Sequence, residues 1–383
     1  MQRSALLISI LLVVAAVGPT AGAVAAAGPS ESVGTALESH GGDADTCTFP
    51  YETTDATGAE VEIPDDPDRV VTLNPSAAQT MWEIGAEDEV VGVSQYATYL
   101  DGASAKTNVS GAGGPSVEAV LNTTPDLVLV PNSTHGFAAE RVEQIRAQGV
   151  PVYVFGEATS LDYVANKTEH VGRLTGNCEA GTERAAEMRR SLELMRQALA
   201  DEERPVGLNV FYGYTSGANT FIGDVMAAAG LQNGAASAGV SGFQPINDET
   251  VVELNPEWIV TPDGSSVPET PAYNSTTAVQ EGNVVRVNTN YLQQPAPRSV
   301  LAAETILQAV HPDAYEEYRQ LDATNGSTET AAPTTEGSET ASQTTTAATD
   351  TASPTSSTGT PGFGVVAAIA ALAAAAALVS KRQ

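Results

Sequence analysis

Positive charge is what this chain has least of. Of 383 residues, 17 are Lys or Arg against 47 Asp or Glu, a formal net charge of −30, and the only lysines are Lys106, Lys167 and Lys381. Such a surface repels nucleic acid and anionic lipid at ordinary ionic strength and argues against both as partners. The acids are spread along the chain and not packed in one tail. In concentrated salt the short Debye length mutes their repulsion, so the composition points to a halophile. Histidine is scarce too: His40, His135, His170 and His311 lie far apart. No metal-ligating cluster is expected from them, and each reads as a surface or capping residue. There is no GxSxG, HExxH, Walker-type loop or strand-to-helix GxGxxG, which argues against an enzyme and against a resident cofactor. Cysteine occurs twice, at Cys47 and Cys178. In an oxidising compartment one disulfide between them is the economical expectation.

The two ends set the compartment. Arg3, the apolar stretch "ALLISILLVVAAV" and the small residues "AGAVAAAG" read as a secretory signal over residues 1–27, followed by an unstructured lead over 28–46. Residues 323–360 are Thr, Ser, Ala and Glu with scattered Pro and Gly, too poor in large apolar groups to build a core. As a coil, a stalk of that length spans roughly 35 Å. Residues 361–383 then run "PGF", "GVVAAIAALAAAAALV" and "SKRQ". This close resembles the PGF-CTERM sorting signal of archaeal surface proteins. The resemblance implies processing by an archaeosortase and attachment to the outer face of the cytoplasmic membrane through a C-terminal lipid anchor alone. A retained membrane helix is the alternative, although the apolar run is short for one. Six Asn-x-Ser/Thr sequons, at Asn108, Asn122, Asn132, Asn166, Asn274 and Asn325, are compatible with a glycosylated external protein.

Between the ends, apolar strand-like runs alternate with helical patterns. That alternation predicts an α/β fold of two lobes, each around a mainly parallel sheet. The boundaries expected are 47–177 for the N-terminal lobe, 178–204 for a long interlobe helix and 205–322 for the C-terminal lobe. The helix reading rests on good helix formers, no internal proline and apolar positions at Ala185, Met188, Leu192, Met195 and Leu199. One unit occurs twice. "SVEAVLNTTPDLVLVPN" (116–132) and "NDETVVELNPEWIVTPD" (247–263) superpose at a constant offset of 131, matching Glu118 with Glu249 and Pro125 with Pro256. Each reads as a short helix with an acid in its first turn, a proline and a strand.

"DRVVTLNPSAAQTMWEIGAEDEVVGVSQYATY", "GGPSVEAVLNTTPDLVLV", "GVPVYVF", "FIGDVMAAAGLQN" and "NPEWIV" together resemble the helical-backbone substrate-binding proteins of ABC importers. These serve cobalamin, ferric siderophores and haem, and cobalamin binders of the BtuF type look nearest. The resemblance covers about residues 67–312. It implies a receptor, not an enzyme, that delivers cobalamin or a related corrinoid to a membrane permease and its ATPase, with a ferric siderophore or haem as the alternative cargo. It also implies that Glu118 and Glu249, one per lobe, dock onto arginines of the permease. Ligand-binding candidates are the strand-end residues Asn74, Pro75, Ser76, Tyr96, Gly114 (with Gly113), Tyr212, Tyr214, Phe243 and Tyr291. Aromatics make up only 5% of the chain, so their gathering at such loops suits a large flat ligand. Where cobalamin binders often carry a tryptophan before the first docking glutamate, this chain has "SGAGGPS". Arg298 is left with two readings: toward an anionic group of the ligand, or bracing the final helix.

Overall fold

The computed structural model describes residues 47–329. The expected signal peptide, the lead with His40, nearly all of the stalk and the sorting signal lie outside the described residues.

Nine short strands form two parallel sheets. In the N-terminal lobe these are β1 (Val70–Thr72), β2 (Val90–Val93), β3 (Thr107–Asn108), β4 (Leu127–Val130) and β5 (Val152–Val154). They stand in the order β3-β2-β1-β4-β5, every pair parallel. An antiparallel hairpin, Tyr51–Thr54 with Glu60–Ile63, precedes them. In the C-terminal lobe, β6 (Val206–Asn209), β7 (Gln232–Asn233), β8 (Trp258–Pro262) and β9 (Val284–Val287) stand in the order β7-β6-β8-β9, again parallel.

Successive strand residues point to opposite faces, and here both faces are covered. Val70, Leu127 and Leu129 join Met81 in one core; Val71, Val128 and Val130 join Val142 and Ile145 in another. The second lobe divides in the same way, with Leu208 and Ile259 on one side and Val260 and Val285 on the other.

The principal helices are α1 (Pro75–Glu83), α2 (Val117–Asn122), α3 (Asn132–Arg146), α4 (Leu161–Leu174), α5 (Cys178–Ala198), α6 (Phe221–Ala228), α7 (Asp248–Leu254), α8 (Ser299–Val310) and α9 (Pro312–Glu329). Helix α5 is the link between lobes, about 32 Å long at 1.5 Å per residue. Ala185, Met188, Met195 and Leu199 are buried in the same core as Ile222, Met226 and Ile306, so the strut is packed and not free-standing. It stops at Ala198, short of the expected 204. Asp201, Glu202 and Glu203 are unfavourable at the negative end of a helix, and Pro205 restricts the residue before it. At the far end α9 continues to Glu329, seven residues past the expected lobe boundary at 322. Once a helix is nucleated each further residue adds a bond, so polar composition alone does not end it. Cys47 and Cys178 are joined in a disulfide with Cα atoms 5.8 Å apart, which ties the start of the described chain to the start of α5.

The duplicated unit is the same object twice. Ser116 and Asn247 each cap their helix by accepting from the backbone N–H three residues on, Ala119 and Thr250. Val120 and Val251 are fully buried at equivalent positions. Thr124 (φ 46°) and Asn255 (φ 39°) are both left-handed just before the proline. Asp126 N–H donates to Arg69 O and Glu257 N–H to Val206 O, each at 2.9 Å, which sets each copy against the first strand of its lobe.

Candidate ligand cleft and docking face

Strand order points to where a ligand sits. In an open parallel sheet, successive connections leave a crevice where the order reverses, outside the carboxyl ends of the strands. In the N-terminal lobe that reversal lies between β1 and β4, and in the C-terminal lobe between β6 and β8. The segments that follow are Asn74–Ser76 and Asn132–Ser133 on one side, Phe211–Tyr214 and Asp263 on the other.

Asn74 occupies the first of these positions as the cap of α1. Its Oδ1 accepts from the backbone N–H of Ser76 (2.8 Å) and Ala77 (3.3 Å), and its Nδ2 reaches Ser133 Oγ at 3.4 Å across the reversal point. Pro75 and Ser76, both expected to meet ligand, are buried, and the Ser76 hydroxyl donates to Asn74. Their role here is to start α1: proline suits the first helical turn, where no N–H is needed. Ala112 and Gly113 form the turn of a small hairpin whose second strand begins at Gly114, and both glycines are at positive φ. A Cβ on Gly114 would lie 3.0 Å from the Ala138 Cβ and 3.4 Å from the Phe137 ring. Glycine therefore allows the hairpin to lie on α3.

In the second lobe, Tyr212, Tyr214 and Phe243 come together. Strand Tyr214–Ser216 pairs with Phe243–Pro245, and Phe211 lies 6.1 Å from both the Tyr214 and Phe243 rings. Tyr214 and Phe243 are half-buried in this aromatic wall, whereas Tyr212 is 40% exposed with φ at 50°. Tyr96 and Tyr291 are likewise half-buried.

Tyr291 belongs to the junction of the lobes. There Gln79 of α1 donates to Tyr99 Oη (2.8 Å) and to the Asn290 carbonyl (3.1 Å), while its Oε1 accepts from Arg298 N–H at 3.0 Å. Burial pushes the Tyr99 phenol up to about 12, with Glu83 and Tyr291 adding to the rise. Arg298 Nε donates to Glu83 Oε1 at 2.7 Å, and Arg184 of α5 holds the other oxygen of the same carboxylate at 2.9 Å. Of its two readings Arg298 takes the bracing one, between lobes. Lys167 of α4 is buried, donates to Pro295 O at 2.7 Å and lies 5.6 Å from the centre of the Phe155 ring. Burial lowers its ammonium to about 7.

Among the described residues no group of three or more His, Cys, Asp or Glu is placed to hold a metal, and no helix is long and apolar enough to cross a membrane. His170 is packed 4.8 Å from the Tyr153 ring, and burial together with Arg173 lowers it to about 4. His311 is buried at the end of α8, and His135 is half-buried in the first turn of α3. The sequon residues Asn108, Asn122, Asn132, Asn166 and Asn274 are all exposed.

Sequence reasoning passed over four residues. Gln79 carries contacts between lobes that only the fold brings together, and Tyr99 holds it from within the N-terminal lobe. Phe211 sits in the apolar run "VGLNVFY", which reads as a strand. Phe137 is 46% exposed, immediately before a break in α3 at Ala138 (φ −131°). Its one signal was Gly136, a residue at odds with the helical pattern around it.

Glu118 and Glu249 are exposed in the first turns of α2 and α7, one in each lobe. Nothing in the fold occupies either carboxylate among the hydrogen bonds and ion pairs described above.

Comparison with known proteins agrees with this architecture. Residues 70–291 match the family profile described as periplasmic binding protein, and residues 360–382 match the PGF-CTERM motif, the mark of a protein anchored at the cell surface. The chain is 42% identical over 400 aligned residues to a cobalamin-binding protein of Halobacterium salinarum, covering 99% of both chains. It is 26% identical to a vitamin B12-binding protein of Yersinia pestis, over 63% of this chain and 85% of that one. Among solved structures, the haem-binding protein RhuT of Roseiflexus is 27% identical with a TM-score of 0.59, covering 64% of this chain and 98% of the other. The vitamin B12-binding protein BtuF of Vibrio cholerae shares the fold at 22% identity and a TM-score of 0.57, over 65% of this chain and 99% of its own. With both parallel lobes, the packed strut and the match spanning residues 70–291 in place, the chain belongs to the periplasmic binding protein family, a family of receptors and not of enzymes.

Proposed function

We propose that this protein is the cell-surface receptor of an ABC importer, binding cobalamin or a related corrinoid between its lobes and handing it to a membrane permease driven by an ATPase. The observation that carries the reading is the likeness to the Halobacterium cobalamin-binding protein, which runs through 99% of both chains and not only through the fold. An archaeosortase processes the C-terminal signal, and a lipid anchor keeps the receptor on the outer face of the membrane.

Tyr212, Tyr214 and Phe243 offer ring faces and edges to a corrin, with Asn74, Tyr96, Gly114 and Tyr291 lining the approach. Electrostatics favour this cargo over its rivals. A ferric siderophore or haem brings negative charge and calls for free cations. Arg298 is held by Glu83, and Arg141 donates to the carbonyls of Pro115 and Ala112. A neutral, amide-rimmed corrin needs neither. Glu118 and Glu249, on equivalent helices of the two lobes, are the docking anchors, so the permease contacts both halves at once. Calorimetric titration of the full chain in molar KCl, with cyanocobalamin, haemin and a ferric catecholate in turn, tests the reading. Saturable binding of cyanocobalamin alone is expected; preference for either iron compound would replace the corrinoid with that cargo.

A further inference from the structure

Leu121 and Val252 hold the same place in the two copies of the duplicated unit, three residues beyond Glu118 and Glu249. Residues three apart on a helix share a face, so each carboxylate has an apolar side chain one turn further along. Val252 is 52% exposed, and only two other large apolar side chains are so open among the described residues, Phe137 and Tyr212. Phe137 lies in α3 against the Gly113–Gly114 hairpin and Tyr212 on a strand-end loop, whereas Val252 lies on the docking helix. Leu121 is partly exposed. Neither residue is needed to seat its helix, because the preceding Val120 and Val251 are fully buried and do so.

We propose that each docking point has two parts, a carboxylate and an apolar side chain: Glu118 with Leu121 in one lobe, Glu249 with Val252 in the other. The inference rests on the docking role given above. The occupant is the importer's permease, presenting at two equivalent places a cation beside an apolar hollow. A receptor whose docking unit is duplicated fits a partner with two-fold symmetry. Salt supplies the physical need. At about 1 M the Debye length is only about 3 Å, and exposed ion pairs contribute little even in dilute buffer. Burial of Leu121 and Val252 is not screened, so it holds the complex under conditions where charge alone steers weakly.

The test is direct docking of the labelled full chain to vesicles made from host membranes, counting only binding displaced by unlabelled protein. Docking is followed in molar KCl for the natural chain, for Leu121→Ser with Val252→Ser, and for Glu118→Ala with Glu249→Ala. Leu121→Ile with Val252→Ile serves as the conservative control, and circular dichroism confirms that each variant is folded. Loss of two contact residues of this size is expected to weaken docking of the serine pair by about tenfold or more, with the isoleucine pair near natural strength. The deficit of the serine pair should persist as KCl is raised, whereas that of the alanine pair should shrink. If the serine pair docks normally while the alanine pair does not, the apolar half is wrong and the charged half stands. If both pairs dock normally, the docking role itself falls and the proposal with it.

Discussion

Glu83 of the N-terminal lobe and Arg298 of the C-terminal lobe form an ion pair at 2.7 Å, and Arg184 of the strut shares the same carboxylate at 2.9 Å. One side chain thus ties all three parts of the receptor. Its partners are partly shielded from water, with side-chain exposures between 16% and 27%. Removing Glu83 leaves Arg298 without its carboxylate and Arg184 with Glu187 alone, whereas removing Arg298 leaves the Arg184 pair intact. Urea unfolding at fixed KCl should show Glu83→Ala destabilised by about 1–3 kcal/mol and Arg298→Ala by less, since stranding charges costs more than losing one partner.

Tyr212 sets stability against binding. A tyrosine at φ 50° carries a backbone cost that glycine does not. Tyr212→Gly is therefore expected to keep or raise thermal stability, and relief of the strained backbone is worth up to about 1 kcal/mol. The same change removes an exposed ring and should weaken cyanocobalamin binding by about tenfold. Weaker binding with unchanged melting marks a ligand contact; unchanged binding would remove Tyr212 from the cleft.

Lys167 gives the receptor a pH dependence on the alkaline side. Its ammonium is lowered by burial from an ordinary 10.5 to about 7. Between those values the unfolded chain holds a proton that the folded chain has lost, so stability rises with pH across that window. Between pH 7 and 9 the gain is on the order of 2 kcal/mol, and Lys167→Met should abolish it in urea unfolding. His170 acts with the same sign at lower pH: lowered by burial and Arg173 from 6.5 to about 4, it costs stability as the pH falls through that range.

The disulfide joins residues 131 apart. On the chain-entropy account, closing so long a loop adds on the order of 4–5 kcal/mol. Cys47→Ser with Cys178→Ser should lower the urea midpoint accordingly while leaving ligand affinity unchanged, because neither residue is near the strand-end loops.

Short apolar runs alternating with helical patterns, together with the repeated unit, make the two parallel lobes readable in the sequence. Both signals are local, and burial on both faces of each sheet enforces them. The candidate cleft was readable only in part. Asn74 and Ser76 looked alike as polar strand-end residues, yet one faces the reversal point and the other is consumed by the helix cap. Gln79 and Arg298 gain their roles from contacts spanning some 200 residues, which no local pattern encodes. The strut ends at Ala198, before the expected 204, and the last helix runs to Glu329, past the expected lobe boundary at 322, because composition marks where helices are disfavoured, not where the last hydrogen bond forms.

The visible absorption spectrum of the full chain, isolated in molar KCl from host cells grown with cobalamin, bears most directly on the cargo. Corrin bands in stoichiometric amount, lost when Tyr212 and Phe243 are both replaced by alanine, are expected. A haem Soret band or an iron–catecholate band in their place would contradict the assignment.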